Sequence, residues 1–355
     1  MARVTTRYVT TRADGRLQCD VCPRECSLDH GQRGLCFVRM REGDDIVLDT
    51  YGRSSGFCLD PIEKKPLHHF LPGSSVLSFG TAGCNLTCKF CQNWDISKSR
   101  DVDTLAADAS PEGIALAARS SGARSVAFTY NDPVIFLEYA MDTADACHAH
   151  DIKTVAVTAG YIKPDARRDF FSKIDAANVD LKAFTEGFYR SLCGASLEAV
   201  KDTLVYLARD TKVWLELTTL IIPGHNDDER ELRALASWVR EALGRHVPLH
   251  FSAFHPDYKL LDVERTPPET LRKARQIARD EGLAHVYVGN VHDLEGDTTF
   301  CSSCGSAVIE RDWFELLAYR ADDRGRCPAC SHPIEGVFDR TAGSFGRRRL
   351  RVQPT

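Results

Sequence analysis

Short apolar runs alternate with helix-like segments through the middle of the chain, and this alternation constrains the fold more than any other feature. The strand-like runs are rich in β-branched or aromatic residues and cover 75–79, 125–129, 153–157, 178–182, 213–221, 248–254 and 284–289. The helix-like segments cover about 111–121, 134–150, 196–209, 228–243 and 268–280. Such repetition indicates an α/β protein with parallel strands and right-handed crossovers. Six or seven such units predict a complete or partial β/α barrel.

Fourteen cysteines are the second unusual feature, because most of them are clustered. The N-terminal stretch has basic residues but no apolar segment like that of a secretory signal, and no apolar run is long enough to span a bilayer. A cytoplasmic location is therefore expected, where thiols stay reduced and clustered cysteines indicate metal ligands. A net charge of -5 does not suggest a dedicated nucleic-acid binder or a membrane partner.

The cysteine clusters divide the chain into three predicted parts. An N-terminal metal-binding region with its connector takes residues 1–70, the barrel takes 71–292, and a C-terminal cysteine-rich domain with a basic tail takes 293–355. Three cysteines stand outside the clusters and are expected to be packing thiols, although the last of them could face the barrel mouth: Cys58, Cys147 and Cys193.

The central cluster, "GCNLTCKFCQ", directly follows the first strand-like run and contains Cys84, Cys88 and Cys91 in a C-x3-C-x2-C pattern. Active sites of parallel β/α barrels form at the carboxyl ends of strands, so chemistry is expected at this loop. A structural zinc site would need a fourth ligand from elsewhere in the chain. A [4Fe–4S] cluster held by three cysteines would instead leave one iron without a protein ligand. The spacing alone leaves both interpretations open.

The same pattern, with Phe90 before its last cysteine, resembles the signature of the radical S-adenosylmethionine (SAM) superfamily. The resemblance implies a partial (β/α)6-type barrel in which Cys84, Cys88 and Cys91 hold a [4Fe–4S] cluster whose open iron is chelated by SAM. It also implies the reaction: one electron cleaves SAM reductively, and the 5′-deoxyadenosyl radical abstracts hydrogen from a substrate. A flavodoxin-type or ferredoxin-type electron donor is the partner that this chemistry implies.

Two patches at the ends of predicted strands resemble parts of the SAM site of that superfamily. "TYNDP" is similar to the patch for the SAM amino group, which implies contacts from Asn131 and from Asp132, where a glutamate is usual. "VTAGY" is similar to a T-N-G turn, but Ala159 replaces the asparagine. A polar contact from that side chain is therefore not expected.

Other patches resemble the remaining parts of a SAM site. "DLK" is similar to the motif that holds the ribose and carboxylate of SAM, which implies those roles for Asp180 and Lys182. "FHP" resembles an activase patch with a histidine beside SAM, which favours His255 over His250. "LIIPGHND" and "YVGN" resemble the segments that line the adenine.

Three longer stretches narrow the resemblance within the superfamily. "DPIEKKPLHHFLPGS", "CQNWDIS" and "HFSAFHPDYK" are most similar to the radical SAM enzyme of the AmmeMemoRadiSam system, a relative of pyruvate formate-lyase-activating enzymes. The name of that system implies Memo-like and AMMECR1-like proteins as partners. The resemblance supplies no settled substrate.

The C-terminal cluster forms two knuckles typical of rubredoxins and zinc ribbons. Its thiols are Cys301, Cys304, Cys327 and Cys330. Zinc is the expected ion, because a closed, redox-silent site suits a small domain with little core of its own, and a mononuclear iron is the alternative. The acidic and apolar stretch between the knuckles lacks the basic face that a nucleic-acid contact needs.

The N-terminal cluster has a less standard spacing. Its thiols are Cys19, Cys22, Cys26 and Cys36. Four thiolates in this arrangement could hold zinc, which is the first expectation, or a second iron–sulfur cluster.

A radical SAM enzyme is thus the function that the sequence predicts, acting either as a glycyl-radical activase or on a small molecule or peptide. One alternative is cleavage of another C–S bond of SAM, which transfers a 3-amino-3-carboxypropyl group. A more remote alternative, from a different class, is a non-catalytic zinc-rich scaffold.

Overall fold

The computed structural model of the chain describes residues 3–99, 107–322 and 324–354. Its N-terminal region consists of short antiparallel strands: β1 (Val4–Thr5), β2 (Val9–Thr11), β3 (Leu17–Cys19), β4 (Ser27–Leu28), β5 (Arg39–Glu42) and β6 (Asp45–Leu48). They pair in the orders β1-β6-β5 and β2-β3-β4, which gives two small sheets in the described part of this region. Strands this short bury little surface, so the region depends on its contacts with the rest of the chain.

The main sheet contains the predicted parallel strands. Its members are β7 (Arg53–Pro61), β8 (Ser75–Gly80), β9 (Ala107–Asp108), β10 (Ser125–Phe128), β11 (Lys153–Thr158), β12 (Ala176–Asp180), β13 (Trp214–Ile221), β14 (Leu249–Ala253) and β15 (Val286–Gly289). Strand β8 and strands β10 to β15 form one parallel ladder in the order β15-β14-β13-β12-β11-β10-β8. In the described ranges β8 continues to antiparallel β7, and the ladder does not return to β15. The predicted partial barrel is confirmed.

Helices fill most connections between the parallel strands. They are α1 (Trp94–Ser97), α2 (Pro111–Ser120), α3 (Leu137–Ala149), α4 (Pro164–Phe171), α5 (Glu186–Phe188), α6 (Leu197–Asp210), α7 (Glu229–Trp238), α8 (Pro268–Asp280) and α9 (Leu294–Asp297). All the predicted helices are present, while α4 and the very short α1, α5 and α9 were not predicted. Helix α4 is short and mostly polar, and it buries only Ala166, Phe170 and Phe171, which is too few positions to show a 3.6-residue period.

The C-terminal part forms a small antiparallel sheet of its own. Strands β16 (Thr299–Phe300), β17 (Ala307–Asp312) and β18 (Glu315–Tyr319) pair in sequence order. The chain then returns to the main sheet, where β19 (Leu350–Arg351) pairs with β7. Among the described residues, no helix is both long enough and apolar enough to cross a bilayer.

A buried carboxylate on β13 fixes the connector, the stretch "DPIEKKPLHHFLPGS" that leads into the barrel. Glu216 accepts hydrogen bonds from the backbone N–H groups of His68 (3.0 Å) and His69 (2.8 Å), and its side chain pairs with His250 Nε2 at 2.7 Å. Burial alone would raise the pKa of Glu216, but the hydrogen bond from His250 and the nearby histidines lower it to about 2. The carboxylate therefore remains charged and holds the two adjacent histidines in fixed positions.

A buried ion pair joins the N-terminal region to the barrel. Arg39 on β5 donates to both carboxylate oxygens of Glu138 on α3, at 3.0 and 2.6 Å. The two side chains are only 2% and 10% exposed. Fork-like pairing of this kind satisfies both charges at once, so the N-terminal sheets are attached at a defined position.

We expect Glu138→Gln to lower the free energy of unfolding by about 3–5 kcal/mol, because it leaves the Arg39 guanidinium buried without a counter-charge. The measurement is equilibrium denaturation followed by circular dichroism. Glu42→Gln is the matched control, since Glu42 pairs with Arg3 on the surface and its loss should cost under about 1 kcal/mol. Equal effects of the two substitutions would contradict the assigned role.

Candidate functional site

A cavity of about 450 Å³ opens at the carboxyl ends of the parallel strands. Its lining includes all but one of the barrel residues predicted to act there: Cys84, Cys88, Cys91, Asn131, Asp132, Asp180 and Lys182. These side chains come from the carboxyl end of β12 and from the loops after β8, β10 and β12. Strands that run in parallel bring their carboxyl ends to one edge, which is why residues far apart in sequence share this cavity.

The three-cysteine loop is set against the N-terminal region by a glycine. Gly83 has a positive φ of 87°, and a Cβ at this position would overlap the carbonyl oxygen of Cys36. Only glycine fits this conformation and this close approach without strain. The central loop and the N-terminal cysteine cluster are therefore in direct backbone contact.

The surroundings of Cys88 favour its thiolate form. Cys88 is buried, and a hydrogen bond from the thiol of Cys193, helped by the charges of Lys182 and Lys98, lowers the pKa of Cys88 to about 7. Cys193 is itself fully buried and thus lies against the cluster loop. A thiolate is the form that binds metal.

The spacing of the thiols separates two kinds of site. In the described parts of the chain, the Sγ atoms of Cys301, Cys304, Cys327 and Cys330 all lie within 4.8 Å of one another, whereas no such group includes Cys84, Cys88 or Cys91. A single tetrahedral zinc ion with Zn–S bonds of ~2.3 Å needs sulfurs ~3.8 Å apart. The three thiols of the central loop are thus not gathered around a single point as the C-terminal thiols are.

Asn131 fastens the start of the cysteine loop. Its amide donates to the carbonyl oxygens of Thr81 at 2.7 Å and Gly83 at 2.8 Å, and its Oδ1 accepts from the Thr81 backbone N–H at 3.4 Å. Asn131 lines the cavity while its amide is directed at this backbone. The geometry makes it a positioning residue for the loop that carries Cys84.

Asp132 faces the cavity with its carboxylate held by the next strand end. Its Oδ1 accepts from the Thr158 hydroxyl at 2.8 Å, and its Oδ2 accepts from the Ala159 backbone N–H at 3.3 Å. The backbone of Ala159 thus supplies a polar contact that the alanine side chain cannot. Burial raises the pKa of Asp132 to about 6, so the carboxylate is poised to gain from a cationic ligand group.

Asp180 and Lys182 form an ion pair on the wall of the cavity. Lys182 Nζ lies 2.7 Å from Asp180 Oδ2, and the two side chains are 14% and 34% exposed. Although burial alone would lower it, the charges of Asp180 and of the nearby thiols raise the pKa of Lys182. A paired anion and cation in a recessed site complement a zwitterion or a ligand with both hydroxyl and carboxylate groups.

His255 is the predicted site residue that the cavity lining does not include. Its Nδ1 lies 3.4 Å from the Pro256 carbonyl oxygen. The same segment contacts the cysteine loop, because Trp94 Nε1 donates to Asp257 at 2.9 Å. His250 does line the cavity, where it is tied to Glu216. A role for His255 beside a ligand stays a prediction.

Ser97 and Lys98 are among the cavity residues that were not predicted. Ser97 Oγ lies 3.0 Å from Cys91 Sγ, and Lys98 donates to the Leu86 carbonyl oxygen at 2.9 Å. Both line the cavity. The short helix α1 brings them back onto the loop, and its four residues are too few for a periodic pattern in the sequence.

The C-terminal cysteines form a compact four-sulfur group. The pairs Cys301–Cys330 and Cys304–Cys327 are each 3.6 Å apart, close to the edge of a tetrahedral site. The predicted C-terminal metal site is therefore supported by its geometry.

The N-terminal cysteines line a small enclosed pocket with apolar walls. The pocket is bounded by all four predicted thiols, Cys19, Cys22, Cys26 and Cys36. Among the residues described, these thiols are absent from the groups whose ligand atoms lie within 4.8 Å. They therefore differ from the compact C-terminal group.

Comparison with known proteins agrees with this geometry. Residues 79–236 match the model of the Radical SAM superfamily. Uncharacterized protein MJ0808 of Methanocaldococcus jannaschii is 39% identical over 326 residues, covering 92% of this chain and 97% of that protein. The 4-hydroxyphenylacetate decarboxylase activating enzyme of Clostridioides difficile strain CD196 is 23% identical over 48% of this chain and 57% of its own length.

A solved structure shares the fold. Streptococcus suis SuiB, bound to the precursor peptide SuiA, superposes with a TM-score of 0.50 at 16% identity, over 65% of this chain and 52% of that one.

Cys304→Ser should remove one metal ion per chain and loosen the C-terminal domain, because the remaining three thiols cannot close the tetrahedral site. The measurements are elemental analysis of the purified protein and limited proteolysis. Ser303→Ala, in the same loop, is the control and should retain the ion. An unchanged metal content in Cys304→Ser would contradict a four-thiolate site.

Proposed function

We propose that this chain, whose residues 79–236 match the Radical SAM superfamily, cleaves SAM reductively and passes the radical to a separate substrate. The observation that carries the proposal is the loop of Cys84, Cys88 and Cys91, whose open spacing lies beside the Asp180–Lys182 pair in one cavity. A [4Fe–4S] cluster held there would supply the electron for cleavage of SAM to methionine and a 5′-deoxyadenosyl radical. The three thiolates would hold the cluster, which leaves one iron for SAM.

The charges of the cavity suit the polar parts of SAM. Lys182 carries the cation that would pair with the SAM carboxylate, while Asp180 presents oxygens that accept from ribose hydroxyls. Asp132 is the buried carboxylate that would accept from the amino group, with Thr158 and the Ala159 backbone holding it in position.

Apolar side chains of the cavity would keep water from the reacting atoms. Its lining includes Leu86, Phe90, Val157, Leu220 and Val288. Phe90 also lies beneath Lys182, whose Nζ is 5.9 Å from the ring centroid. A wall of this kind strengthens the electrostatic contacts within the site and excludes side reactions with solvent.

The inner end of the cavity favours a polar substrate group. His68, His250 and Asp297 line it, and His68 Nε2 lies 2.6 Å from Asp297. The Nδ1 atom of His68 is buried without a hydrogen-bond partner in the described part of the chain. Two imidazoles and a carboxylate therefore make this part of the cavity polar.

Two substrate classes fit this proposal. Activation of another enzyme, which the sequence resemblance places in the glycyl-radical class, is supported by the words "activating enzyme" in the name of the Clostridioides relative. Modification of a small molecule or peptide is supported by the polar inner end of the cavity. A 3-amino-3-carboxypropyl transfer is the alternative reaction. An electron donor of the flavodoxin or ferredoxin type is proposed as a partner.

We further assign the chain to the AmmeMemoRadiSam system as a proposal, with Memo-like and AMMECR1-like proteins as partners. Its support is the sequence of the connector and of the segments around Cys91 and His255.

For the N-terminal cysteines we propose a second [4Fe–4S] cluster in place of the zinc first expected. Its support is the open spacing of the thiols and the backbone contact between Gly83 and Cys36. Such a cluster can relay electrons or bind substrate. For the compact C-terminal group we retain zinc.

Cys88→Ala should abolish SAM cleavage, because the cluster would lose one of its three protein ligands. The measurement is anaerobic reconstitution, reduction with dithionite, addition of SAM and identification of nucleoside products by mass. Wild-type protein should yield 5′-deoxyadenosine. Methylthioadenosine as the main product would support the 3-amino-3-carboxypropyl alternative, and an iron-free wild-type protein would contradict both reactions.

A second buried thiol provides the control for this experiment. Cys147→Ala removes a buried thiol of α3 outside the cavity and should retain the activity.

Lys182→Met should retain its iron but bind SAM at least ~10-fold more weakly, the equivalent of one lost charged hydrogen bond. The exposed Lys89 in the same loop gives the matched control Lys89→Met.

Iron analysis tests the second cluster. Anaerobically reconstituted wild-type protein should hold ~8 iron atoms and ~8 sulfides in its two clusters, and Cys26→Ala should retain ~4 of each. Ser27→Ala is the neighbouring control and should match the wild type. About 4 iron atoms with a second zinc ion in the wild-type protein would instead favour zinc at the N-terminal site.

A further inference from the structure

Two histidines and a glutamate meet at the edge of the barrel opposite the cysteine loop. His246 precedes β14 and His285 precedes β15, so both stand at the amino ends of neighbouring parallel strands. Glu335 reaches the same point from the C-terminal domain. We propose that His246, His285 and Glu335 form a binding site for one divalent transition-metal ion, which joins the C-terminal domain to the barrel.

The ligand atoms have the spacing that a metal requires. His246 Nδ1 lies 3.0 Å from Glu335 Oε1, and His285 Nε2 lies 3.4 Å from Glu335 Oε2. One ligand atom from each of the three residues can be chosen so that all lie within 4.8 Å of one another. A tetrahedral zinc ion with bonds of ~2.0–2.1 Å to nitrogen and oxygen places its ligands ~3.3 Å apart.

The contact between His246 and Glu335 is not an aligned hydrogen bond. Nδ1 of His246 is buried and makes no hydrogen bond with any described residue, although Oε1 is only 3.0 Å away. A donor hydrogen on this nitrogen would point away from the direct line to the oxygen. This arrangement is expected when His246 Nδ1 and Glu335 Oε1 are both directed toward an ion that lies to one side of the line between them.

A second layer of contacts holds the ligands in place. His69 Nδ1 donates to the Glu335 carbonyl oxygen at 2.6 Å, which leaves its Nε2 to accept from the Tyr287 hydroxyl at 2.6 Å. The ring of His285 packs against His69 with centroids 4.5 Å apart, and its side chain is only 1% exposed. Ligands fixed by such outer contacts lose little entropy when an ion binds.

The donor set selects the class of ion. Imidazole and carboxylate ligands suit Zn²⁺, Fe²⁺ or Ni²⁺, and the absence of a thiolate among the three distinguishes this group from the cysteine sites. The side chains of His246 and Glu335 are 39% and 30% exposed, so water can reach the ion and complete its coordination. The ion would hold elements of two domains together, as structural metals commonly do.

The test uses the full chain with its cysteine sites already loaded, titrated with Co²⁺ as a spectroscopic probe. Wild-type protein should bind one further Co²⁺, with d–d absorption and no new thiolate charge-transfer band. Its melting temperature should rise as that ion binds. Glu335→Gln should lose this last equivalent, and His246→Asn, at a half-exposed ligand, should weaken it by at least ~10-fold.

Glu310→Gln is the control, because Glu310 is paired with Arg320 on the surface of the same domain and should bind like the wild type. Retention of the C-terminal cysteine-bound metal shows that each variant is folded. Equal Co²⁺ stoichiometry in wild type and both ligand variants, or a further equivalent with thiolate bands only, would overturn the proposal. In that case the three residues form ion pairs alone.

Discussion

The common direction of the parallel strands is the constraint on which the rest of this structure depends. Each strand ends at the same edge, so loops that are far apart in sequence converge on one cavity. The strands are almost entirely buried, as in β8, where every residue from Ser75 to Gly80 is covered. Their apolar side chains fix the sheet, which leaves the loops free to carry polar and thiol groups.

Polar residues buried within this framework attach the smaller regions to it. Glu216 holds the connector, and Arg39 with Glu138 holds the N-terminal sheets. On the C-terminal side, Arg311 donates to the His68 carbonyl oxygen at 2.6 Å and is fully buried. Each contact joins a smaller region to the barrel through a charged group that has little access to water. Such a contact is strong, and it fixes the region in one specific position.

The sequence predicts features that depend on neighbours along the chain. The strands, the longer helices and the loop of Cys84, Cys88 and Cys91 all have local patterns, and they appear where those patterns place them. Helices α4 and α1 bury too few residues to show the 3.6-residue hydrophobic period of a helix, and the sequence therefore does not predict them.

Distances between side chains have no such local pattern. The sequence does not distinguish the open spacing of the N-terminal thiols from the compact spacing of the C-terminal ones, nor does it place His250 rather than His255 on the cavity wall. The convergence of His246, His285 and Glu335 depends on the packing of two domains. These properties arise from tertiary structure, and no spacing along the chain encodes them.

The contact between Gly83 and Cys36 has a consequence for how the protein can be divided. The central loop presents bare backbone to the N-terminal cysteine region, with no side chain between them. A barrel expressed without residues 1–70 would therefore expose the backbone beside Cys84 to solvent and remove one wall of the loop that shapes its active centre. The N-terminal region is in this sense a structural part of the site, and a fragment that preserves the backbone contact of the loop has to include Cys36, well before the first barrel strand.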